Sequence, residues 1–306
     1  MTDLSASAPR LAARNRATAI GGIAILLWAS LALLATLVGP IPPFQLVAMS
    51  FGIAFAGTVA LWLVRGEAIA AHLRQRPVVW LLGIGGLFGY HFLYFVAVGS
   101  VPPVEASLLN YLWPLLIVLF SGLVTGERLR WWHVLGALCG LFGVVVLVTR
   151  GFAADLSFGQ GAMTGYAAAL GAAVIWAAYS VVSRTFGEVP TDAVGGFCGA
   201  TAVLALLCHL VLEPTVWPTS PLAWGAVLLL GLGPVGGAFF AWDHGVKRGN
   251  IRALSGLSYG TALMSTLLLI AARKAEATPA VGIACLAIVG GAVLASRDLW
   301  HRPAGP

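Results

Sequence analysis

Long apolar runs alternate with short polar segments along this chain. A helix needs about 20 mainly apolar residues to cross the hydrocarbon core of a bilayer. Ten runs reach about that length, and the loops between them are too short for a soluble domain. We therefore predict ten transmembrane helices, called spans 1 to 10: residues 17–37, 43–64, 78–99, 103–123, 130–148, 161–183, 191–212, 222–245, 251–272 and 279–297.

Composition narrows the fold class. The 306 residues are 59% hydrophobic and only 9% charged, with a mean hydropathy of +0.94. Soluble domains carry about 25% charged residues. Because the apolar runs are continuous and do not alternate, a membrane barrel is excluded. The expected class is an all-α integral membrane protein.

The chain also repeats itself. LLWASLALL in span 1 and VIWAAYSVV in span 6 pair Trp28 with Trp176, and spans 3 and 8 share a glycine-rich pattern at the same offset of 148 residues. Five spans per half is an odd number, so the second half must enter the membrane in the opposite direction. Secondary transporters use such inverted repeats and bind substrate between them. We predict two inverted five-helix repeats (17–148 and 161–297) around a central cavity, a linker (149–160) and tails at 1–16 and 298–306.

The basic residues predict an orientation. With the N-terminus inside, 14 of the 17 Lys and Arg residues lie on the cytoplasmic side, as the positive-inside rule requires. Both termini are then cytoplasmic, in a cell inner membrane. The net charge of +6 is explained by this bias, so the expected partners are a small substrate and the lipid bilayer, with no nucleic acid.

Candidate functional residues concentrate between residues 89 and 116. Polar groups at membrane depth are costly and therefore functional candidates. Tyr90 and Tyr94 share a helix face, and His91 lies beside Tyr94. His91 either lines a cavity or is a buried histidine bonded to a neighbouring backbone carbonyl. Span 4 adds four candidates in the same region: Asn110, Tyr111, Trp113 and Pro114.

Pro114 and the deeper aromatic residues each allow two interpretations. A proline inside a helix frees the carbonyl four residues earlier, here that of Asn110. This carbonyl and the Asn110 side chain would bind a substrate ammonium or hydroxyl, or the proline simply curves span 4. Trp28, Trp176 and Tyr179 would form further aromatic walls, suited to flat rings or cations, or would pack the core.

Glycines at four-residue spacing occur in both halves: Gly85 and Gly89 in span 3, Gly233 and Gly237 in span 8. Such small-xxx-small spacing predicts close helix packing. With Pro114 they are also candidate moving joints.

Several activities are disfavoured. No acid lies at the middle of a span, and Glu105 and Asp243 are near span ends, so a drug antiporter built on a membrane carboxylate lacks that group. No two acids lie close together within a span, which disfavours a metal-dependent prenyl or lipid transferase. The four cysteines form no CxxC pair. We expect no enzyme activity, no metal and no cofactor.

Two motifs resemble a known family. The AxxxxPxxxAxxLxxLxPL run from Ala97 to Leu115 and the Gly126-Glu127 pair resemble the first repeat of ten-helix EamA-type exporters of the drug/metabolite transporter superfamily. The Tyr-His pair and the Asn-Tyr-x-Trp-Pro run resemble more narrowly its aromatic amino acid exporters. The resemblance implies a basket of helices around a cavity lined by Tyr90, His91, Tyr94, Tyr111, Trp113 and Trp176. The Gly-Glu pair has no match in the second half.

The resulting hypothesis is a secondary transporter that exports neutral aromatic amino acids by alternating access. The alternative is an exporter of lipophilic cations such as methyl viologen, or of another metabolite. Transport direction, proton coupling and oligomeric state stay open, with a monomer as one option.

Overall fold

The computed structural model describes residues 4–124, 129–154 and 163–297, with side chains from residue 10 onward. These residues form helices and no strand. The helices are α1 (Leu4–Ala29), α2 (Leu31–Val38), α3 (Pro43–Val64), α4 (Ile69–Leu73), α5 (Pro77–Ile84), α6 (Tyr90–Ser100), α7 (Pro103–Asn110), α8 (Trp113–Val124), α9 (Trp131–Val148), α10 (Met163–Thr185), α11 (Ala193–Leu212), α12 (Pro221–Leu232), α13 (Ala238–Arg248), α14 (Ile251–Ser258), α15 (Gly260–Ala271) and α16 (Pro279–Ala295).

The helices confirm an all-helical membrane protein. Among the described residues, nine continuous or interrupted helices are long and apolar enough to cross a membrane, and α16 is a shorter apolar helix at the tenth predicted span. Helix α1 extends well before residue 17 and begins at Leu4, so part of the expected N-terminal tail is helical. The Gly126-Glu127 pair, residues 155–160 of the linker and the C-terminal tail lie outside the described residues.

Four spans are interrupted at equivalent points of the two halves. Span 3 contains a π-helical turn at Gly85–Gly89, and span 8 contains one at Gly233–Gly237. Span 4 breaks at Tyr111 between α7 and α8, and span 9 breaks at Tyr259 between α14 and α15. These four irregularities therefore repeat with the 148-residue offset of the sequence, whereas the break of span 1 at Ser30 has no equivalent in the continuous helix α10. π-Turns inside helices are rare and occur often at functional sites.

Pro114 corrects one expectation. It does not lie inside a continuous helix, because it is the second residue of α8. Proline is tolerated in a first helical turn, where its missing N–H has no intrahelical partner to lose. Span 9 breaks in the same way although Ala262 occupies the equivalent position. The break in span 4 is therefore part of the repeated backbone and does not require the proline.

The two halves pack together symmetrically. Helix α1 packs on α13. Helix α10, which is the equivalent of α1 in the second half, packs on α6. Helix α3 packs on α11, and α9 packs on α16. In terms of spans, these contacts are 1 with 8, 6 with 3, 2 with 7 and 5 with 10. Replacing each span by its equivalent in the other half reproduces the same set, as expected of two inverted repeats.

Close packing of span 3 occurs at other glycines than the sequence predicts. A Cβ atom at Gly85 would have no neighbour within 4 Å, and one at Gly89 would lie 3.6 Å from Ile175. A Cβ atom at Gly83 would overlap the ring of Phe197, and one at Gly86 the ring of Tyr179. Phe197 belongs to α11 and Tyr179 to α10, so Gly83 and Gly86 each let a ring from the second half approach span 3.

In span 8 the two predicted glycines differ. A Cβ atom at Gly233 would lie 3.8 Å from Leu27, an ordinary contact, whereas one at Gly237 would lie 3.1 Å from the carbonyl oxygen of Leu232. Gly231, the equivalent of Gly83, approaches Ile53 at 2.6 Å. Among the glycines of spans 3 and 8, the closely packed pair that both halves share is therefore Gly83 and Gly231.

Candidate functional site

Four tryptophans from both halves meet in the interior and are called here the tryptophan cluster: Trp28, Trp113, Trp176 and Trp242. The ring centroids of the equivalent residues Trp28 and Trp176 are 5.7 Å apart. Trp242 lies 5.3 Å from Trp28 and 5.8 Å from Trp113. The cluster therefore joins spans 1, 4, 6 and 8, with two spans from each half.

The indole N–H groups hold two of these rings in place. Trp28 Nε1 donates a hydrogen bond of 3.0 Å to the carbonyl oxygen of Pro234, inside the π-turn of span 8. Trp242 Nε1 donates one of 3.0 Å to the hydroxyl oxygen of Ser180. A π-turn leaves some carbonyls without their usual helical donors, and Trp28 uses one of them. The irregular backbone thus orients a ring of the cluster.

Tyr90, His91 and Tyr94 extend the cluster from span 3. The two tyrosine rings stack at 6.0 Å with an interplanar angle of 5°, as their shared helix face predicts. Tyr90 lies 5.6 Å from Trp176. The ring of His91 stands edge-on to Tyr90 at 5.2 Å. These three side chains and Trp28 are partly exposed, so the cluster has an accessible face.

His91 makes a hydrogen bond to its own helix. Its Nδ1 atom lies 2.7 Å from the carbonyl oxygen of Leu87. A carbonyl can only accept, so Nδ1 carries the proton and Nε2 of a neutral ring is an acceptor. The structure therefore contains the backbone bond that one of the two interpretations requires, and it leaves the second ring nitrogen for another partner.

Asn110 is connected to Tyr90. Its Nδ2 atom donates a hydrogen bond of 3.1 Å to the hydroxyl oxygen of Tyr90. Asn110 is the last residue of α7, next to the break in span 4, and is only 7% exposed. Its Oδ1 atom is buried and has no hydrogen-bond partner among the described residues. A buried acceptor of this kind is costly unless a ligand supplies a donor.

The remaining predicted residues differ in their placement. Trp113 belongs to the tryptophan cluster. Tyr179 lies 5.3 Å from Trp176, but it is only 2% exposed and its ring fills the space over Gly86, which is a packing position. Tyr111 stands at the break in span 4 and packs against a second apolar cluster that includes Val118 and Tyr259. Among the described ring contacts, none joins Tyr111 to the tryptophan cluster.

Comparison with known proteins decides the class. The profile of the EamA-like transporter family matches residues 18–149 and 163–297, one match in each half. This chain belongs to the EamA-like transporter family. It is 53% identical over 283 residues to the aromatic amino acid exporter YddG of Ancylobacter novellus, covering 92% of this chain and 98% of that protein.

Two further comparisons agree. This EamA-like transporter is 28% identical over 303 residues to the aromatic amino acid exporter YddG of Escherichia coli, covering 92% of this chain and 97% of that protein. A solved crystal structure with 53% sequence identity matches it with a TM-score of 0.88, over 93% of this chain and 97% of that one.

Three site residues of the transporter were not predicted from sequence. Trp242 belongs to the tryptophan cluster, and Phe239 lies 5.9 Å from Trp28 and 5.6 Å from Trp176. Phe51 lies 5.6 Å from Phe239 and 5.2 Å from His91. The 148-residue offset relates Tyr94 to Trp242 and His91 to Phe239, so the internal repeat carried a signal for two of them.

Two acids of the transporter near span ends are fully buried. Glu105 is 0% exposed and accepts a hydrogen bond of 2.6 Å from the hydroxyl of Tyr166. Asp243 is 1% exposed, and its Oδ1 atom lies 2.9 Å from Nζ of Lys247. Position near a span end therefore did not predict exposure, because neighbouring helices cover both side chains.

Proposed function

We propose that this transporter exports neutral aromatic amino acids across the inner membrane by alternating access, with both termini in the cytoplasm. The observation that carries the proposal is the tryptophan cluster with its partly exposed face, built at the helix interruptions between the two halves. The names of the two exporters reported above support the same substrate class. The proposed transport step needs no covalent chemistry, metal or cofactor.

The side chains around the cluster have distinct proposed roles. The exposed faces of Trp28, Tyr90 and Tyr94 line a central cavity and stack on the substrate ring. Asn110 Oδ1 accepts a hydrogen bond from the substrate ammonium group, and Nε2 of His91 offers a second acceptor. Trp113, Trp176 and Tyr179 support these groups from behind, and Tyr111 lines the cavity beside the break in span 4.

Opening and closing of the cavity is assigned to the helix interruptions. The π-turns at Gly85–Gly89 and Gly233–Gly237 and the breaks beside Pro114 and Tyr259 are places where the regular helical hydrogen bonds are already lost. Bending there costs less than bending a continuous helix. We propose these four places as the moving joints.

A second candidate substrate class is lipophilic cations such as methyl viologen. The partly exposed rings of Trp28, Tyr90 and Tyr94 have electron-rich faces that attract cations, and the free Oδ1 of Asn110 is an acceptor. These rings would bind such a cation without recognising the amino and carboxylate groups of an amino acid.

Flux measurements on purified protein in liposomes test the proposal. We expect saturable flux of tryptophan and phenylalanine, and loss of the stacking ring in Tyr94→Leu to weaken it about 2- to 10-fold, from the energy of one aromatic pair. Trp217→Leu is the control, because Trp217 is 61% exposed and stacks on Trp224 away from the cluster. Flux of methyl viologen without flux of either amino acid would favour the second candidate.

We further propose that the substrate gradient alone drives transport. The titratable side chain within the site is His91, and its Nδ1 is held by Leu87. A pH step across the liposome membrane should then drive no tryptophan uptake, in wild type or in His91→Gln. Uptake driven by the step in wild type and lost in the variant would show proton coupling through His91.

A further inference from the structure

We infer that a first-row divalent transition-metal ion binds where α3 ends and α11 begins, to Glu67, His72 and Asp192. One ligand atom from each residue lies within 4.8 Å of the other two. Glu67 and His72 belong to the first half of the chain, whereas Asp192 belongs to the second. The proposed ion would therefore connect the two halves at the end of the molecule that carries Arg65, Arg76 and Arg184, far along the spans from the tryptophan cluster.

The backbone fixes the position of Glu67. Helix α3 ends in a turn where Gly66 has a φ of +71°, a conformation that favours glycine. The Gly66 N–H donates to the Leu63 carbonyl at 3.0 Å, and the Glu67 N–H donates to the Trp62 carbonyl at 2.9 Å. These two bonds form a Schellman motif. Glu67 is thereby held beside the end of a long helix.

An aromatic stack orients His72. Its ring is parallel to the ring of Trp62, with an interplanar angle of 4° and centroids 4.4 Å apart. Trp62 is fully buried, so it provides a rigid support. The Nε2 atom of His72 lies 2.8 Å from Oε2 of Glu67. The imidazole is thus aimed at a carboxylate before any metal ion arrives, and 16% of its side chain is exposed.

Asp192 completes the group from the second half. It is the N-cap residue of α11, and its Oδ2 atom lies 3.3 Å from Nη1 of Arg65. The two side chains are 34% and 45% exposed, and exposed ion pairs of this kind contribute little. Arg65 is therefore a competitor for Asp192 that an arriving cation can displace.

The ligand set indicates the class of ion. One imidazole nitrogen with two carboxylate oxygens suits zinc and its neighbours, whereas magnesium and calcium prefer oxygen ligands alone. Zinc bonds of about 2.1 Å in tetrahedral geometry place ligand atoms about 3.4 Å apart. Small side-chain rotations would bring the three groups to that spacing, and water would complete the shell on the open side. His72 and Asp192 are 120 positions apart in the sequence, so no short motif predicts this set of metal ligands.

The test is zinc binding to the purified full-length protein in detergent, with any affinity tag removed. Isothermal titration should show one zinc ion bound per chain, and zinc at 100 times its Kd should raise the unfolding temperature by about 4 °C. Magnesium at the same concentration should cause no shift. His72→Gln and Asp192→Asn should each weaken zinc binding at least about tenfold. Arg65→Gln should strengthen it, because it removes the competitor.

The variants separate a built site from incidental binding. Asp192→Asn leaves the stack of His72 on Trp62 intact, so it remains informative if His72→Gln disturbs folding. His244→Gln is the matched control, because His244 is a histidine at the same end of the molecule that bonds to Arg248 instead. Zinc affinity that is unchanged in both ligand variants, or absence of a zinc-dependent shift in wild type, would overturn the proposal.

Discussion

The side-chain amide of Asn110 donates a hydrogen bond of 3.1 Å to the hydroxyl oxygen of Tyr90. The bond connects the last residue of α7 to the first residue of α6, across the turn between spans 3 and 4. With the amide nitrogen engaged in this bond, the buried amide oxygen remains an acceptor without a partner among the described residues. The two side chains are therefore expected to behave as one functional unit.

Substitution of this pair should give non-additive effects. Tyr90→Phe keeps the ring but removes the acceptor, which releases the Asn110 amide. We expect the KM for tryptophan in proteoliposomes to rise about 2- to 10-fold, the equivalent of one hydrogen bond. Asn110→Ala should raise it at least as much, and the double variant should be no worse than Asn110→Ala. If the two single effects simply multiply in the double variant, the residues act independently and the unit does not exist.

The glycines of span 3 should differ sharply in their tolerance of alanine. Gly83→Ala and Gly86→Ala place a methyl group against the rings of Phe197 and Tyr179. Overpacking of this kind costs about 1–3 kcal/mol, which should lower the unfolding temperature in detergent. Gly85→Ala is the control in the same segment, since nothing lies within 4 Å of the added atom. Equal destabilisation by all three would contradict the packing described here.

These glycines show where sequence reasoning stops. Helical period and the 148-residue offset were sufficient to predict the repeat, the equivalence of Trp28 and Trp176 and the shared helix face of Tyr90 and Tyr94, because each depends on regular geometry. Four-residue spacing marks where a helix backbone can approach another, but which glycine a neighbouring ring covers depends on how the helices pack, and neither the period nor the offset specifies that. Small-xxx-small spacing therefore identified Gly85, whereas Gly83 and Gly86 make the contacts.

The polar contacts of the site were harder to predict for a related reason. The bond between Asn110 and Tyr90 depends on the crossing angle of the two helices that the Pro-Pro turn connects. The hydrophobic period of each helix does not predict this angle. Tyr111 stands at the break in span 4 and packs against the second apolar cluster, and the regular period does not specify that contact either. The 148-residue offset did contain the signal for Trp242, through its equivalent Tyr94.

The broken spans 4 and 9 should depend more on Ser255 than on Pro114. The hydroxyl of Ser255 donates a hydrogen bond to the carbonyl oxygen of Pro114, and both residues are buried. Ser255→Ala leaves that carbonyl without this donor and should cost about 1–3 kcal/mol of unfolding free energy. Pro114→Ala keeps the carbonyl, and span 9 breaks with Ala262 at the same position, so a cost below about 1 kcal/mol is expected.

Thermal unfolding of three variants checks this. Ser258→Ala is the matched control, because Ser258 is equally buried but donates 2.7 Å to Leu254 within its own helix. The Ser258 bond lies within one helix and joins no second span. The loss of unfolding free energy should therefore be smaller for Ser258→Ala than for Ser255→Ala. A larger effect for Pro114→Ala than for Ser255→Ala would restore the proline as the cause of the break.

The buried ion pair of α13 should be more costly to break than to remove. Asp243 and Lys247 have side chains only 2% and 4% exposed, with Oδ1 and Nζ 2.9 Å apart. Thr191 donates 2.8 Å to the other oxygen of Asp243, and Lys247 donates 3.1 Å to the carbonyl of Val189. Removing one charge leaves the other buried without its counterion, which costs about 3–5 kcal/mol. Asp243→Asn and Lys247→Met should therefore each unfold at a clearly lower temperature than wild type.

The double variant Asp243→Leu/Lys247→Met tests whether the balance of the two buried charges, or the other contacts of these side chains, determines stability. It leaves no buried charge, so we expect it to be more stable than either single variant, because the desolvation cost of both ions disappears with their attraction. Glu188→Gln is the control, since its 2.6 Å pair with Arg76 is about 60% exposed on both sides and should change stability by less than about 1 kcal/mol. If the double variant is the least stable of all, the aliphatic stems and the bonds to Thr191 and Val189 matter more than the balance of charge.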